Sequence, residues 1–449
     1  MPWDVLIRGG TVVTPQGADL LDLVIEDGKI VDIAVEMMGS SRLEIDATGL
    51  HVFPGMIDPH VHFNEPGRTE WEGFATGSAA LTAGGGTSFF DMPLNSSPPT
   101  LDGESFDLKH AAGLANSRAD FGLWGGITPG NLDRLHELAD RGVIGFKAFM
   151  SDSGIDDFLR SDDETLHHGM KVARDRGLIV AVHAESEKIT ADRTREIRAK
   201  GGRTWRDYLD SRPIEAELDA ITRAIAIARE TRCKLHIVHV SCDAGIELVT
   251  RARASVDVTC ETCPHYLLLN EDDLFRLGAP AKCAPPVRSA FEVEKLWHQL
   301  EAGQIDFVAS DHSPAPPSMK TSDDVFDIWG GVAGVQSTRS ALLSREPAMT
   351  YPNVAELTAT AAARRFGITS KGTIDQFMDA DLSLVDLSRS FTLSRQDLFD
   401  RHQFSPYTGR TFKGVVKQTL VRGNVVFKDG AHVGDFRGKL IKPDRITHA

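Results

Sequence analysis

The chain has 449 residues, 41% hydrophobic and 25% charged, an ordinary globular composition with length for one large domain and a smaller one. Its net charge of −15 argues against general nucleic-acid binding, and five cysteines, odd in number and confined to residues 233–283, argue against a secreted disulfide framework. Met1-Pro2-Trp3-Asp4 lacks the basic start and apolar stretch of a signal peptide, and no apolar run reaches the roughly 18 residues of a membrane span, so a cytoplasmic location with no membrane partner is expected.

Residues 1–54 read as short strands and tight turns. Val5-Leu6-Ile7 leads through Arg8-Gly9-Gly10 into Thr11-Val12-Val13, and Leu23-Val24-Ile25 leads through Glu26-Asp27-Gly28 into Lys29-Ile30-Val31. Asp-Gly between apolar runs is a hairpin signal. The other end of the chain repeats the pattern. Leu420-Val421-Arg422-Gly423-Asn424-Val425-Val426 is similar to Leu6-Ile7-Arg8-Gly9-Gly10-Thr11-Val12, and Lys428-Asp429-Gly430 supplies another turn. Both ends, 1–54 and 379–449, are therefore expected to build one small β-sandwich domain with a larger domain, 55–378, inserted between them.

The inserted region alternates strand and helix. Eight strands are predicted, near 55–60, 87–92, 119–124, 143–147, 178–183, 234–239, 256–260 and 305–310. Helices are predicted over 131–141, with Leu132, Leu135 and Leu138 in register, and over 215–229, with Leu218, Ile221 and Ile225 on one face. Eight repeats are what a closed (β/α)8 TIM-type barrel, an α/β fold, requires. An open doubly wound sheet would not bring five strand ends to one point. Gly84-Gly85-Gly86 precedes a strand and lacks a following Lys-Ser/Thr, so it reads as a helix stop and not as a phosphate loop.

Hard metal ligands and proton carriers stand at the ends of these strands. His60 and His62 are two residues apart, which on a strand puts both imidazoles on one face, where they can share a cation. His183 follows Leu178-Ile179-Val180-Ala181-Val182, and His239 follows Leu235-His236-Ile237-Val238. His236 is expected to face the other way. Asp311 follows the eighth predicted strand, where it can bind a metal and move a proton. Lys147 is of a different kind, because a protonated lysine cannot ligate a metal. Two readings stay open for it from the residues alone. It is a surface salt-bridge lysine, or its amine has taken up CO2 to give a carbamate able to bridge two metals. Cys260-Glu261-Thr262-Cys263 lacks a second pair at zinc-finger spacing and reads as structural.

Taken in this order, these residues resemble those of the cyclic amidohydrolases, the family of dihydroorotase, dihydropyrimidinase/hydantoinase and allantoinase, over essentially the whole chain. The resemblance implies a binuclear centre with His60 and His62 on one metal and His183 and His239 on the second. It also implies a carboxylated Lys147 as bridge and Asp311 as final ligand and acid/base. The two divalent ions would be zinc, with cobalt, manganese or iron also suited to the ligands. Within the family, dihydroorotases usually carry Arg where Asn64 stands, and hydantoinases usually carry Tyr where Asp152 stands. Asp91-Met92-Pro93-Leu94-Asn95-Ser96, Lys282-Cys283-Ala284-Pro285-Pro286, Ser310-Asp311-His312-Ser313-Pro314 and Ile328-Trp329-Gly330-Gly331 resemble the allantoinase branch. Ala315 departs from it, standing where that branch often has Cys. The implied reaction opens the hydantoin ring of allantoin to allantoate, with a hydroxide held between the metals. Asn95 and the backbone near Ala284 and Gly331 are expected to bind the ring, and the resemblance implies a homo-oligomer, tetramer or dimer. A hydantoinase-type amidase, or a scaffold relative that has lost its metals, are the alternatives.

Overall fold

The strands of the inserted region are buried almost end to end. Met56–Val61, Gly86–Asp91 and Ile179–His183 have every residue buried, as expected for strands covered on both faces. The computed structural model describes residues 2–444, so Met1 and residues 445–449 of the expected small domain lie outside the described residues.

Eight parallel strands form the barrel among the described residues. They are Met56–Val61, Gly86–Asp91, Asp120–Leu123 continued by Gly125–Gly126, Phe146–Phe149, Ile179–His183, Lys234–Ile237, Val258–Thr262 and Phe307–Val308. Each pairs with the next, and the ring closes where Val61 bridges His312 and the His62 N–H donates to the His312 carbonyl at 2.8 Å. The third strand, expected to run unbroken over 119–124, changes partners at Trp124. Its first part pairs with the second strand and its last part with the fourth, while the buried Trp124 indole donates to the Pro59 carbonyl at 3.0 Å. A bulky ring turned into hydrogen-bonding range of the first strand accounts for the interruption.

Helices cover the outside of the barrel. Ile214–Thr231 buries Ala216, Ala220, Ile221, Ala224, Ile225 and Ala228 along one stripe and packs on Asp163–Asp175, whose Asp162 cap accepts from the Thr165 N–H at 2.9 Å. The helix expected over 131–141 begins as a tight turn, Leu132–Arg134, before Leu135–Arg141. Asn131 explains this. Its side chain accepts from the Thr128 N–H and donates to the Leu101 and Gly126 carbonyls, so it does not cap the helix. Phe74–Ala83 ends on Gly84, and Gly86 opens the second barrel strand, as the glycine run suggested.

Strands from both chain ends share one sheet. His51–Pro54 from the first part lies between Trp3–Thr14 and Leu382–Thr392, and Thr411–Val421 and Asn424–Lys428 continue the order. Val5, Ile7, Val12, Leu23, Ile45, Val52, Leu382, Leu384 and Leu420 form the core of this β-sandwich. The turns at Asp27-Gly28, Arg422-Gly423 and Asp429-Gly430 each place two successive residues at positive φ, the geometry that matches strand twist in a two-residue hairpin. One stretch behaves differently from the rest of the C-terminal part. The Phe121 N–H donates to the Lys439 carbonyl and the Ile441 N–H to the Phe121 carbonyl, so this segment lies on the third barrel strand, outside the small sheet. A buried ion cluster joins the two units, with Lys371 Nζ 2.8 Å from Asp120 and 2.7 Å from Asp381. No helix among the described residues is long and apolar enough to cross a membrane.

Candidate metal centre

The barrel carries the six singled-out side chains to one end. His60 is next to last in the first strand and His62 follows it. Lys147 is the second residue of the fourth strand, His183 ends the fifth, His239 lies just past the sixth, and Asp311 lies just past the eighth. His60, His62 and Asp311 converge, with Asp311 Oδ1 3.2 Å from His60 Nε2 and 3.4 Å from His62 Nε2. His183 Nδ1 and His239 Nε2 are 2.9 Å apart, and the His239 ring centroid is 5.4 Å from that of His60. His239 and Asp311 hold φ values of 40° and 44°. Left-handed backbone costs a side-chain-bearing residue about 1–2 kcal/mol, and such strain gathers where function demands a particular side-chain direction.

Lys147 settles its own open question in part, because it is fully buried and is no surface lysine. Its Nζ has no hydrogen-bond partner and sits 5.0 Å from the Phe149 ring centroid. Burial pulls the amine down to about 8, against the opposing pull of Asp311 and Glu261. An unpaired buried ammonium is unfavourable, whereas a carbamate on this nitrogen would put an anion among the histidines and fit a pair of cations. His60, His183 and His239 are all pulled below the usual imidazole range, burial being the largest cause. They are therefore neutral at pH 7, the form that ligates metal.

Behind the inner ring lies a set of partners that the sequence reading missed. His60 Nδ1 donates to Glu261 Oε1 at 2.5 Å, and Glu261 Oε2 meets His236 Nε2 at 3.1 Å. His183 Nε2 donates to Glu185 Oε2 at 2.8 Å, and Arg212 donates to the same oxygen. His62 Nδ1 faces the Leu94 carbonyl at 3.3 Å. These contacts use the outer nitrogen of His60, His183 and His62 and leave the inner one with its lone pair toward the site, whereas His239 Nδ1 is buried without a partner. Burial raises Glu261 to about 8, against the pull of Lys147. Burial opposes the charge on Glu185 too, but Arg212 and His183 outweigh it and hold that carboxyl at about 2. Asp58, raised to about 7 by burial, accepts from the Ser310 and His60 N–H groups and so ties the first strand to the Asp311 loop.

His236, expected to face the other way, instead meets Glu261 Oε2 at 3.1 Å while the other Glu261 oxygen holds His60, so it lies on the same side, one layer behind the inner ring. Glu261 itself was overlooked between Cys260 and Cys263, which are buried and free. A charged residue inside an otherwise buried strand was the available signal. Glu261→Ala should weaken divalent-metal affinity by about 10–100-fold, read from metal retained after dialysis against graded chelator. Wild-type retention would remove Glu261 from the site.

The ring opens into a cavity of about 710 Å³, lined also by Asn95, Phe149, Asp152, Tyr208, Arg212, Ala284, Trp329 and Gly331. The three residues expected to bind a ring thus share the cavity with the histidines. Gly331 is more restricted than expected, because its N–H already donates to the Lys282 carbonyl at 2.7 Å. Its carbonyl already accepts from Lys320 Nζ at 2.9 Å, so only that oxygen's second lone pair and the groups around Ala284 remain for a ligand.

Comparison with known proteins extends these observations. The amidohydrolase family model matches residues 51–426. Allantoinases from Solibacter usitatus and Rubrobacter xylanophilus are each 53% identical, covering 99% of this chain and 98% of theirs. Among solved structures, the L-hydantoinase (dihydropyrimidinase) from Arthrobacter aurescens superposes with a TM-score of 0.95 at 32% identity, covering 98% of this chain and 100% of that one. A D-hydantoinase gives 0.91 at 32% identity, covering 98% and 99%.

Proposed function

The chain belongs to the amidohydrolase family, and from that premise we propose that it is a metal-dependent hydrolase opening the hydantoin ring of allantoin to give allantoate. The observation that carries this reading is the full-length identity to allantoinases, joined to a set of converging metal-ligating side chains in one cavity. His60 and His62 would hold one divalent cation, His183 and His239 the other, with a carbamate on Lys147 between them and Asp311 completing the set. Zinc suits this nitrogen and oxygen donor set, as do cobalt, manganese and iron. Bound there, the cations would polarise the scissile carbonyl and lower the pKa of water so that hydroxide is available near neutral pH.

The remaining work belongs to the side chains. Asp311, within 3.4 Å of both His60 and His62, takes the proton of the attacking water and returns it to the departing ring nitrogen. Asn95, with the backbone at Ala284 and Gly331, orients the ring amide. Phe149 and Tyr208 supply apolar wall that limits bulk water around the reacting bond. Exposed apolar residues of the small domain, Met38 and Val35 among them, give a dimer or tetramer a surface to bury.

A hydantoinase is the second reading, favoured by the TM-score of 0.95. Asp152 speaks against it. It lines the cavity where the resemblance places a tyrosine in that branch. The test is to express the protein with bicarbonate and a divalent metal, then compare ring opening of allantoin, hydantoin, dihydrouracil and dihydroorotate. Allantoin should be preferred, with activity lost to a chelator and restored by metal. Preference for hydantoin or dihydrouracil would move the chain to the neighbouring branch.

A further inference from the structure

His183 and His239 are held in different ways. His183 has Glu185 behind its ring, and Glu185 accepts in turn from Arg212. His239 Nδ1 is buried with no partner, so no hydrogen bond behind that ring sets its direction. The backbone has to set it instead, and that backbone is held at φ 40°. Strained backbone persists only where its surroundings over-determine it.

One buried ion pair supplies such surroundings on both sides. Arg288 and Glu217 are 7% and 2% exposed, and Arg288 Nη2 lies 2.5 Å from Glu217 Oε1. Glu217 Oε2 accepts from the Ser241 N–H at 3.1 Å, and Glu217 Oε1 accepts from the Ser241 hydroxyl. Arg288 Nε donates to the Ser241 oxygen at 2.9 Å. Three bonds thus fasten the residue two positions past His239. The remaining arm of the guanidinium, Nη1, donates to the Arg212 carbonyl at 2.6 Å. This fixes the backbone of the residue that holds Glu185, and through it His183. Glu217 stands in the first turn of Ile214–Thr231, and the Ala216 carbonyl of that turn accepts from the Ser186 N–H at 2.9 Å. The loops that follow His183 and His239 therefore share one anchor. None of the side-chain hydrogen bonds of Arg288 or Glu217 reaches His60, His62 or Asp311. A planar guanidinium with donors in fixed directions suits this task, since one group meets three acceptors at once.

We propose that Arg288 and Glu217 are positioning residues for one half of the metal centre: their ion pair holds His183 and His239 in the orientation that binds the second cation, and the His60–His62 half does not depend on it. The proposal rests on the two-cation reading above. It is tested with zinc alone. Wild type, Glu217→Gln, Arg288→Met and Ser241→Ala are dialysed with bicarbonate against a series of zinc buffers, and zinc per chain gives the affinity of each half. Anomalous scattering from zinc-loaded crystals shows which half empties. Melting temperature and circular dichroism of the zinc-free variants follow the fold separately. Removing one member of a buried pair strands the other, so the double variant Glu217→Leu with Arg288→Met carries the measurement if a single variant does not fold.

The expected result is one zinc bound about 10–100-fold more weakly in Glu217→Gln and Arg288→Met, with the other within about twofold of wild type. The anomalous signal should fall beside His183 and His239 and persist beside His60 and His62. Ser241→Ala, which removes only the hydroxyl, should shift the same zinc in the same direction by less. A lower melting temperature with both zinc affinities unchanged would reduce the pair to a structural role and overturn the proposal. So would loss of both ions in step, or loss from the His60–His62 half. Each of these leaves the two-cation reading intact. Wild-type enzyme that binds fewer than two zinc ions would instead overturn that reading, and the proposal with it.

Discussion

Asp311→Asn should lower kcat by about 10³–10⁴-fold, the upper range for removing a general acid–base, while keeping most of the bound metal. Asparagine has nearly the same shape and keeps an oxygen where Asp311 Oδ1 now lies 3.2 Å from His60 Nε2. The other candidate ligands, His60, His62, His183 and His239, stay in place, each buried. What disappears is the ability to take a proton and give it back. The loss should therefore fall on kcat and leave KM little changed, the signature of an interaction made in the transition state. Metal content by elemental analysis and steady-state kinetics on allantoin check this together. Near-normal turnover with full metal would show that Asp311 moves no proton. Loss of metal in parallel with activity would reduce it to a ligand.

Lys147→Ala is expected to lose metal and activity together, with partial recovery on adding acetate or propionate. The Lys147 side chain is fully buried and its amine has no partner, so truncation removes the group around which the histidines are arranged. A short carboxylate could enter the vacated space and supply the two oxygens that the carbamate would have offered. Burial, the main cause, lowers the Lys147 amine to about 8. The neutral amine is the form that reacts with CO2, and its fraction grows as pH rises through that value. Metal-free enzyme with wild-type Lys147, given back divalent metal at equal dissolved CO2, should consequently regain activity faster at pH 8.5 than at pH 6.5. Full metal occupancy and activity in Lys147→Ala would refute the bridge.

Much of this architecture was legible in the order of residues. Strand runs such as Leu178 to Val182 announce themselves by continuous apolar character, and the hairpins by Asp27-Gly28 and Asp429-Gly430. The pair His60 and His62 was readable because side chains alternate with a period of two, so their common face follows from spacing alone. Lys147 was readable only as a choice, since its burial depends on the neighbouring strands and not on its own neighbours in sequence.

Other features had no local signal strong enough to read. Glu261 meets His60 across 201 positions, and Lys282 meets the Val325 carbonyl across 43. The break at Trp124 and the seat of Lys439 on the third strand likewise arise from contacts that exist only when the barrel is closed. By itself, the sequence determined which residues would be strands, which way alternate side chains would point, and that ligand-type residues stand at strand ends. The tertiary structure alone decided which buried polar group satisfies which other one. Period and turn chemistry act over a few residues, whereas an imidazole's outer nitrogen or a lysine's amine must be satisfied by whatever barrel closure brings within 3 Å, however distant in the chain.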